Sequence, residues 1–348
     1  AIAQKNRPQE PQEPFNYSIE KVSFINSKAN NIKLAGTLTI PKNVKRPPVA
    51  ILISGSGPQN RNEELLGHKP FLIISDHLTN NGIAVLRCDD RGIAESEGDF
   101  ESATSFDFAL DAEAAINYIK NRKEFKKSKI GLIGHSEGGL IATILASKNN
   151  DVAFIVSLAG TGVIGEKVIL SQSREIAKKM GATEETLDFN QKISELVYEV
   201  IKKEQPIDSL KVEIKNTLTN YKTELGSSPY SFYINDALIK QLSDISENKW
   251  FKTFIVTNPQ IYWSKTTCPV LAINGSKDLQ VLSKLNLDGI ESALKKANNN
   301  DVTIKELEGL NHLFQTAETG LMSEYGTIEE TFSPKVLVII KDWILERF

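Results

Sequence analysis

The chain has 348 residues, with Lys+Arg 41 against Asp+Glu 44 and a formal net charge of −3. So balanced a charge offers nothing to nucleic acid or to an anionic membrane, and leaves small neutral substrates as the expected partners. The length fits one large α/β domain with an insertion, or two domains, and no apolar run approaches the ~18 residues of a membrane span.

Cys88 and Cys268 each sit beside an apolar stretch, where a free thiol behaves as a small apolar residue. With two cysteines and four histidines in all, neither a disulfide framework nor a metal cluster is expected. At the start, Ala1-Ile2-Ala3-Gln4 has the small-x-small pattern that precedes a signal-peptidase cut and leads into the polar, Pro-rich RPQEPQEP. We expect a disordered tail over 1–16 and a secreted or periplasmic protein; an ordinary frayed terminus is the alternative, and a cytoplasmic location stays open.

Residues 17–28 and 31–41 alternate apolar and polar side chains, the mark of half-buried strands in an antiparallel pair. VAILI at 49–53 is continuously apolar and ends in Ser54-Gly55-Ser56-Gly57-Pro58, which predicts a strand covered on both faces running into a backbone-rich loop. A helix over 71–80, a strand over 82–87 and a helix over 105–121 follow by the same reasoning.

The stretch KIGLIGHSEGGL at 129–140 predicts a strand, a tight turn and a helix, with Gly134-His135-Ser136-Glu137-Gly138 fitting G-x-S-x-G. The apex of such a turn is strained, and side chains at Gly134 or Gly138 would collide with the neighbouring strand or helix. Ser136 is thereby pushed out toward a substrate carbonyl.

After another apolar strand at 152–158, no strand pattern appears for roughly a hundred residues, and 161–263 reads as a helical insertion. Strand and helix alternation resumes with 270–273, 282–297 and 302–307, and a last helix starts at Ser333-Pro334. Two antiparallel strands, six of parallel type and one insertion give an eight-stranded, mostly parallel sheet with flanking helices: the α/β-hydrolase layout, with core 17–160 plus 264–348 and a helical cap.

A serine hydroxyl needs a base within hydrogen-bond reach, itself oriented by an acid, and on this fold the chain order is Ser, acid, His. His68 and His77 precede the elbow and His135 is part of it, so His312, just after the strand ending near Leu307, remains as the base. Asp278 follows the strand over 270–273 and is the candidate acid; the plain alternative is an aspartate satisfying local turn amides. Oxyanion donors are expected at the backbone N–H of Glu137 and of Ser56, with Gly57 as the alternative to Ser56, while Pro58 has no N–H to give.

The chain resembles the α/β-hydrolases, and among them bacterial carboxylesterases with a Gly-Ser-Gly-Pro oxyanion loop. The resemblance runs through SGSGPQNRNEE (54–64), DDRG (89–92), GHSEGG (134–139), CPVLAINGSKDLQV (268–281) and GLNH (309–312). Ser54 stands where many relatives have His, and Ala94 where many have Gly. The resemblance implies ester hydrolysis through an acyl-enzyme, with Ser136, Asp278 and His312 as triad and no cofactor.

The alternatives are an aminopeptidase or amidase on the same machinery, which would use acids such as Glu166, Glu175 or Glu195 to hold a free amine, and a binding protein that uses the fold without turnover. Arg91 is expected to anchor its loop. Gln59, Arg61 and Glu63 line the pocket mouth or form a solvated turn. Trp250, Phe251 and Phe254, with Tyr262 and Trp263, either wall an acyl pocket or pack the insertion on the core. Oligomeric state stays open.

Overall fold

A computed structural model describes residues 6–348, so the signal-like Ala1–Gln4 lies outside the described residues. One sheet holds eight strands: β1 (Tyr17–Asn26), β2 (Ile32–Pro41), β3 (Val49–Ile53), β4 (Ala84–Cys88), β5 (Ile130–His135), β6 (Val152–Leu158), β7 (Val270–Gly275) and β8 (Val302–Leu307). Their order is β1-β2-β4-β3-β5-β6-β7-β8, antiparallel at β1-β2 and β2-β4 and parallel elsewhere. This is the α/β-hydrolase fold. Every residue of β3 and β5 is buried, as their unbroken apolar runs predict for strands covered on both faces.

Helices α1 (Pro70–Asn80), α2 (Ser105–Asn121) and α3 (Glu137–Ala146) follow strands in the first part of the chain. The insertion carries α4 (Gly165–Lys179), α5 (Glu184–Ile201), α6 (Ile207–Leu225), α7 (Asp236–Asp244) and α8 (Lys249–Val256). After it come α9 (Gln260–Trp263), α10 (Ser283–Lys296), α11 (Met322–Tyr325) and α12 (Pro334–Leu345). One core forms where Phe71, Ile74 and Leu78 of α1 and Val336, Ile340 and Trp343 of α12 meet apolar residues of the sheet, among them Leu52, Val85, Ile133 and Val156. Pro334 opens α12 as expected, but the Ser333 side chain does not cap it.

β2 departs from its half-buried expectation: its threonines are covered as well. The reason is hydroxyl chemistry. Thr39 Oγ1 meets Ser75 Oγ at 3.0 Å and Thr79 Oγ1 at 2.7 Å, so α1 packs on a face that its pattern marks as polar. β1, at the edge, keeps Ile19 and Ile25 exposed.

The chain divides into two compact units, one running to Val163 and resuming at Asn258–Phe348, the other Ile164–Thr257. The insertion is thus shorter than the expected 161–263. Trp263 belongs to the sheet unit, fully buried, with its indole N–H donating to Thr161 O at 3.1 Å. The helical unit has its own core of Ile193, Val197, Ile201, Leu210, Ile214, Leu218 and Ile255. Three of its helices, α5, α7 and α8, begin at side-chain caps: Thr183, Asn235 and Asn248 accept from the N–H groups of Thr186, Leu238 and Phe251.

Residues 6–16, expected as a loose tail, form no helix or strand yet are fastened. Arg7 donates to Ile328 O and Leu66 O, each at 3.0 Å. The Gln9 amide donates to Phe332 O at 2.7 Å and accepts from Thr331 N at 2.6 Å. A side-chain amide, being donor and acceptor at once, satisfies backbone groups that polar composition gives no warning of.

If those hydroxyls are what lets α1 cover β2, Thr39→Val leaves Ser75 and Thr79 short of a partner in a dry place. We expect a loss of about 1–2 kcal/mol, read as a lower urea midpoint with unchanged slope; an unchanged midpoint would assign the covering to apolar packing alone.

Candidate active site

β5 delivers the chain to the elbow with no room to spare. A Cβ on Gly134 would lie 2.1 Å from Gly138 O, and one on Gly138 would lie 2.2 Å from Ile53 O, so the steric reading of both glycines holds. Ser136 takes φ 54°, ψ −117°, a conformation that few non-glycine residues adopt. Its N–H donates to Leu158 O at 2.8 Å, pinning the apex to the end of β6. From Ile130 to Leu145 every residue is buried except Ser136.

Asp278 and His312 come from the loops that follow β7 and β8, and the structure brings them together. His312 Nδ1 is 2.7 Å from Asp278 Oδ2, and both side chains are buried. Asp278 Oδ1 meanwhile accepts from the N–H groups of Gln280, 2.8 Å, and Val281, 2.9 Å. The turn-forming reading of Asp278 and the partnership with His312 are therefore both true, one on each oxygen.

The His312 loop is braced from several sides. A Cβ on Gly275 would lie 2.1 Å from Leu310 O, so β7 ends against it. Asn311 Oδ1 accepts from Leu313 N and Gln315 N, each at 3.0 Å, and the fully buried Gln315 amide lies 3.1 Å from His68 Nε2. From the other side, His135 Nε2 donates to the backbone O of His312 at 2.9 Å, and the two rings lie 4.8 Å apart. The residue before the elbow serine thus holds the loop of the candidate base.

The loop after β3 passes the same place, since a Cβ on Gly55 would lie 3.2 Å from Ser136 Cβ. Ser56 and Pro58 are exposed, while Gly57 has φ 91°. Two acids shape this loop from behind. Asp90 accepts from Ser54 Oγ at 2.7 Å and from Gln59 N at 2.9 Å, one bond at each end of the turn. Glu63 Oε1 accepts from Gly55 N at 2.7 Å and lies 2.9 Å from His135 Nδ1.

Glu63 is neither a pocket-mouth residue nor part of a solvated turn, as its sequence position suggests: it is 5% exposed, with φ 51°. Arg61 points away from the loop, donating to Gly36 O and Thr37 Oγ1, each at 3.1 Å, and to Asp89. Arg91 anchors as expected, with a two-point bond to Asp111 at 2.7 and 2.8 Å and one to Asp107 O. Gln59 is half-buried and spends its backbone on Asp90. In the helical unit, Phe254 is buried and stacked with Trp250 at 5.0 Å, and Phe251 meets Tyr198 edge-on at 5.5 Å. Those three aromatics take part in that unit's own packing.

Sequence reasoning missed Glu63, Asp90 and His135 as organisers. DDRG and GHSEGG were the available signals, but neither tells which loop amide an acid will reach. Burial pushes the Asp90 carboxyl up to about 7, against the pull of Ser54 and Gln59, and the nearby Glu63 and Glu137 add to the rise. Burial presses the His135 imidazolium down, but the Glu63 carboxylate more than reverses this, and the net shift is upward.

The family described as BAAT / acyl-CoA thioester hydrolase C terminal matches residues 112–316. Among curated proteins, Esterase EstD of Thermotoga maritima is 28% identical over 289 residues, a match covering 82% of this chain but only 59% of that protein. Among solved structures, an esterase of Pyrococcus furiosus aligns with TM-score 0.55 at 15% identity over 99% of this chain and 98% of that one. Est1E of Butyrivibrio proteoclasticus, solved with ferulic acid bound, aligns with TM-score 0.52 at 17% identity over 94% and 98%. At such identities the structural likenesses speak for the fold alone.

The raised Asp90 carboxyl has a consequence for stability. Between the ordinary Asp range near ~4 and about 7 the folded chain holds a proton that the unfolded chain has released. Stability therefore falls as pH rises through that window, by up to ~1.4 kcal/mol per pH unit from this group, and levels off above it. Asp90→Asn removes that contribution, so the urea midpoint of the variant should fall less than the wild type's between pH 5 and pH 8. Equal falls would mean that Asp90 ionises like a solvated carboxylate.

Proposed function

Because the chain belongs to the BAAT / acyl-CoA thioester hydrolase C-terminal family, we propose that it is a serine hydrolase that cleaves carboxylic esters through an acyl-enzyme. The observation that carries this reading is the His312–Asp278 bond of 2.7 Å, with the His312 loop fastened to His135, the residue before Ser136. With Nδ1–H given to the carboxylate, Nε2 of His312 is left as the proton acceptor, which is the tautomer a serine nucleophile requires.

In this reading Ser136 attacks the carbonyl carbon and its proton passes to His312. His312 then returns a proton to the leaving alcohol, and water repeats the sequence to free the acid. Asp278 holds the imidazole's orientation and balances the charge that forms on it. The Glu137 N–H, at the start of α3, and the Ser56 N–H receive the oxyanion; Gly55 N–H is excluded because Glu63 already takes it. No cofactor enters any step.

The amidase alternative is weakened by the acids it would use. Glu166 is paired with Lys202 at 3.1 Å, and Glu195 accepts from Gln191 at 2.8 Å. A binding protein, for its part, has no use for a strained serine and an acid–base pair held together at real cost. In the chain, the helical unit is inserted between β6 and β7.

The test is a panel of p-nitrophenyl esters, acyl thioesters and aminoacyl anilides, run beside a fluorophosphonate that labels an activated serine. Ser136→Ala should abolish ester turnover and labelling while the circular dichroism stays that of the wild type. Asp278→Asn should lower kcat on the order of 10⁴-fold. Turnover by folded Ser136→Ala near the wild-type rate would sink the assignment, and a loss below tenfold in Asp278→Asn would place the acid elsewhere.

A further inference from the structure

We propose that Glu63 and His135 form a positioning pair for the reaction at Ser136, a single carboxylate and a single imidazole setting the oxyanion loop, the nucleophile and the base in register. The proposal rests on the serine-hydrolase reading and adds to it two residues that touch none of the reacting atoms.

The bonding pattern leaves little freedom. His135 Nε2 faces the His312 carbonyl at 2.9 Å, and a carbonyl only accepts, so Nε2 carries a proton. Glu63 Oε1 already accepts from Gly55 N–H at 2.7 Å, and it takes its second bond from Nδ1 at 2.9 Å. With both ring nitrogens donating, the pair is an imidazolium held by a carboxylate. One oxygen thus joins the loop after β3 to the end of β5, and one ring joins the end of β5 to the loop after β8. These three chain segments supply the proposed oxyanion donor, nucleophile and base.

The pair is also costly. Glu63 is 5% exposed and His135 7% exposed, and taking two charges out of water is repaid only when the remaining donors and acceptors are met. Glu63 also sits at φ 51°, a strained conformation for a residue with a side chain. An apolar pair at these positions would join the segments without taking charges out of water, but could not fix the direction of the Gly55 amide or of the His312 carbonyl. Orientation is what the pair supplies, and misplacement on the order of 1 Å near a reacting centre costs about 100-fold.

Glu63→Gln tests this with almost no change of shape. An amide oxygen facing Gly55 N–H can take Nδ1–H only from the tautomer whose Nε2 lacks a proton, which abandons the His312 carbonyl. Turned the other way, the amide N–H₂ meets Nδ1 but confronts the Gly55 N–H. Either way one of three bonds is lost. For p-nitrophenyl acetate, with active sites counted by fluorophosphonate titration, we expect kcat per titrated site to fall about 10- to 100-fold while KM changes less than threefold. His135→Gln should fall into the same range, and the double variant should lose little more than the worse single one.

A wild-type kcat per titrated site in either folded variant, with only the melting temperature lowered, would make the pair structural and overturn the proposal. A rise confined to KM would overturn it equally, as would variants that yield no folded, titratable protein at all. A wild type that neither hydrolyses ester nor takes the fluorophosphonate would instead remove the serine-hydrolase reading on which the pair's role rests.

Discussion

The elbow depends on a close approach at Gly138, where an added Cβ would lie 2.2 Å from the carbonyl oxygen of Ile53. α3 can start only where its first turn presses on the end of β3, and that contact forces the chain from β5 into α3 through one residue at φ 54°. The serine alone of its stretch escapes full burial because the glycines around it are not allowed to be anything else. Burial of β5 on both faces then makes the turn rigid, since neither strand nor helix can shift without opening the sheet's centre.

Three loops gather at that point, and the means that hold them differ. The elbow is held by steric exclusion and a backbone bond to Leu158. The loop after β3, rich in glycine and serine, has almost no side chains to pack, so acids behind it hold it by its backbone N–H groups: Glu63 at Gly55 and Asp90 at Gln59. The loop after β8 is held by side-chain amides, Asn311 and Gln315, and by His135 from the elbow itself. Polar groups serve here because they fix direction as well as distance, at the cost of desolvation that apolar packing avoids.

What could be read from the sequence follows the same division. The strands buried on both faces, the helix over 105–121 and the elbow were legible because each is governed by local rules: unbroken apolar runs, a 3.6-residue period, glycines at fixed offsets. That Asp278 and His312 lie on the loops after β7 and β8 was legible from the strand pattern; their 2.7 Å contact is what the structure adds. Glu63 was not, because its partners lie eight and seventy-two residues away, and nothing local separates a carboxylate that turns inward from one that stays in water. β2 misled for a related reason: Thr39 reads as a polar face until the hydroxyls of Ser75 and Thr79 are set against it. The bounds of the insertion were overrun because Trp263 looks like the last aromatic of a helical run, while its indole is committed to Thr161 in the sheet unit.

The same reasoning bears on how the chain tolerates two acids behind one loop. Glu63 and Asp90 both lie behind the loop after β3, and two uncompensated carboxylates there would raise each other's proton affinity. They are treated differently. Glu63 has the His135 ring beside it, Nδ1 at 2.9 Å, and the carboxylate shifts that imidazole upward. Asp90 is given only a hydroxyl and one amide, and its carboxyl is pushed up to about 7. Glu63 sets the Gly55 amide, next to Ser136, and Asp90 sets the outer end of the loop, where Ser56 and Pro58 are exposed, so the acid whose carboxyl is raised stands at the end farther from the elbow.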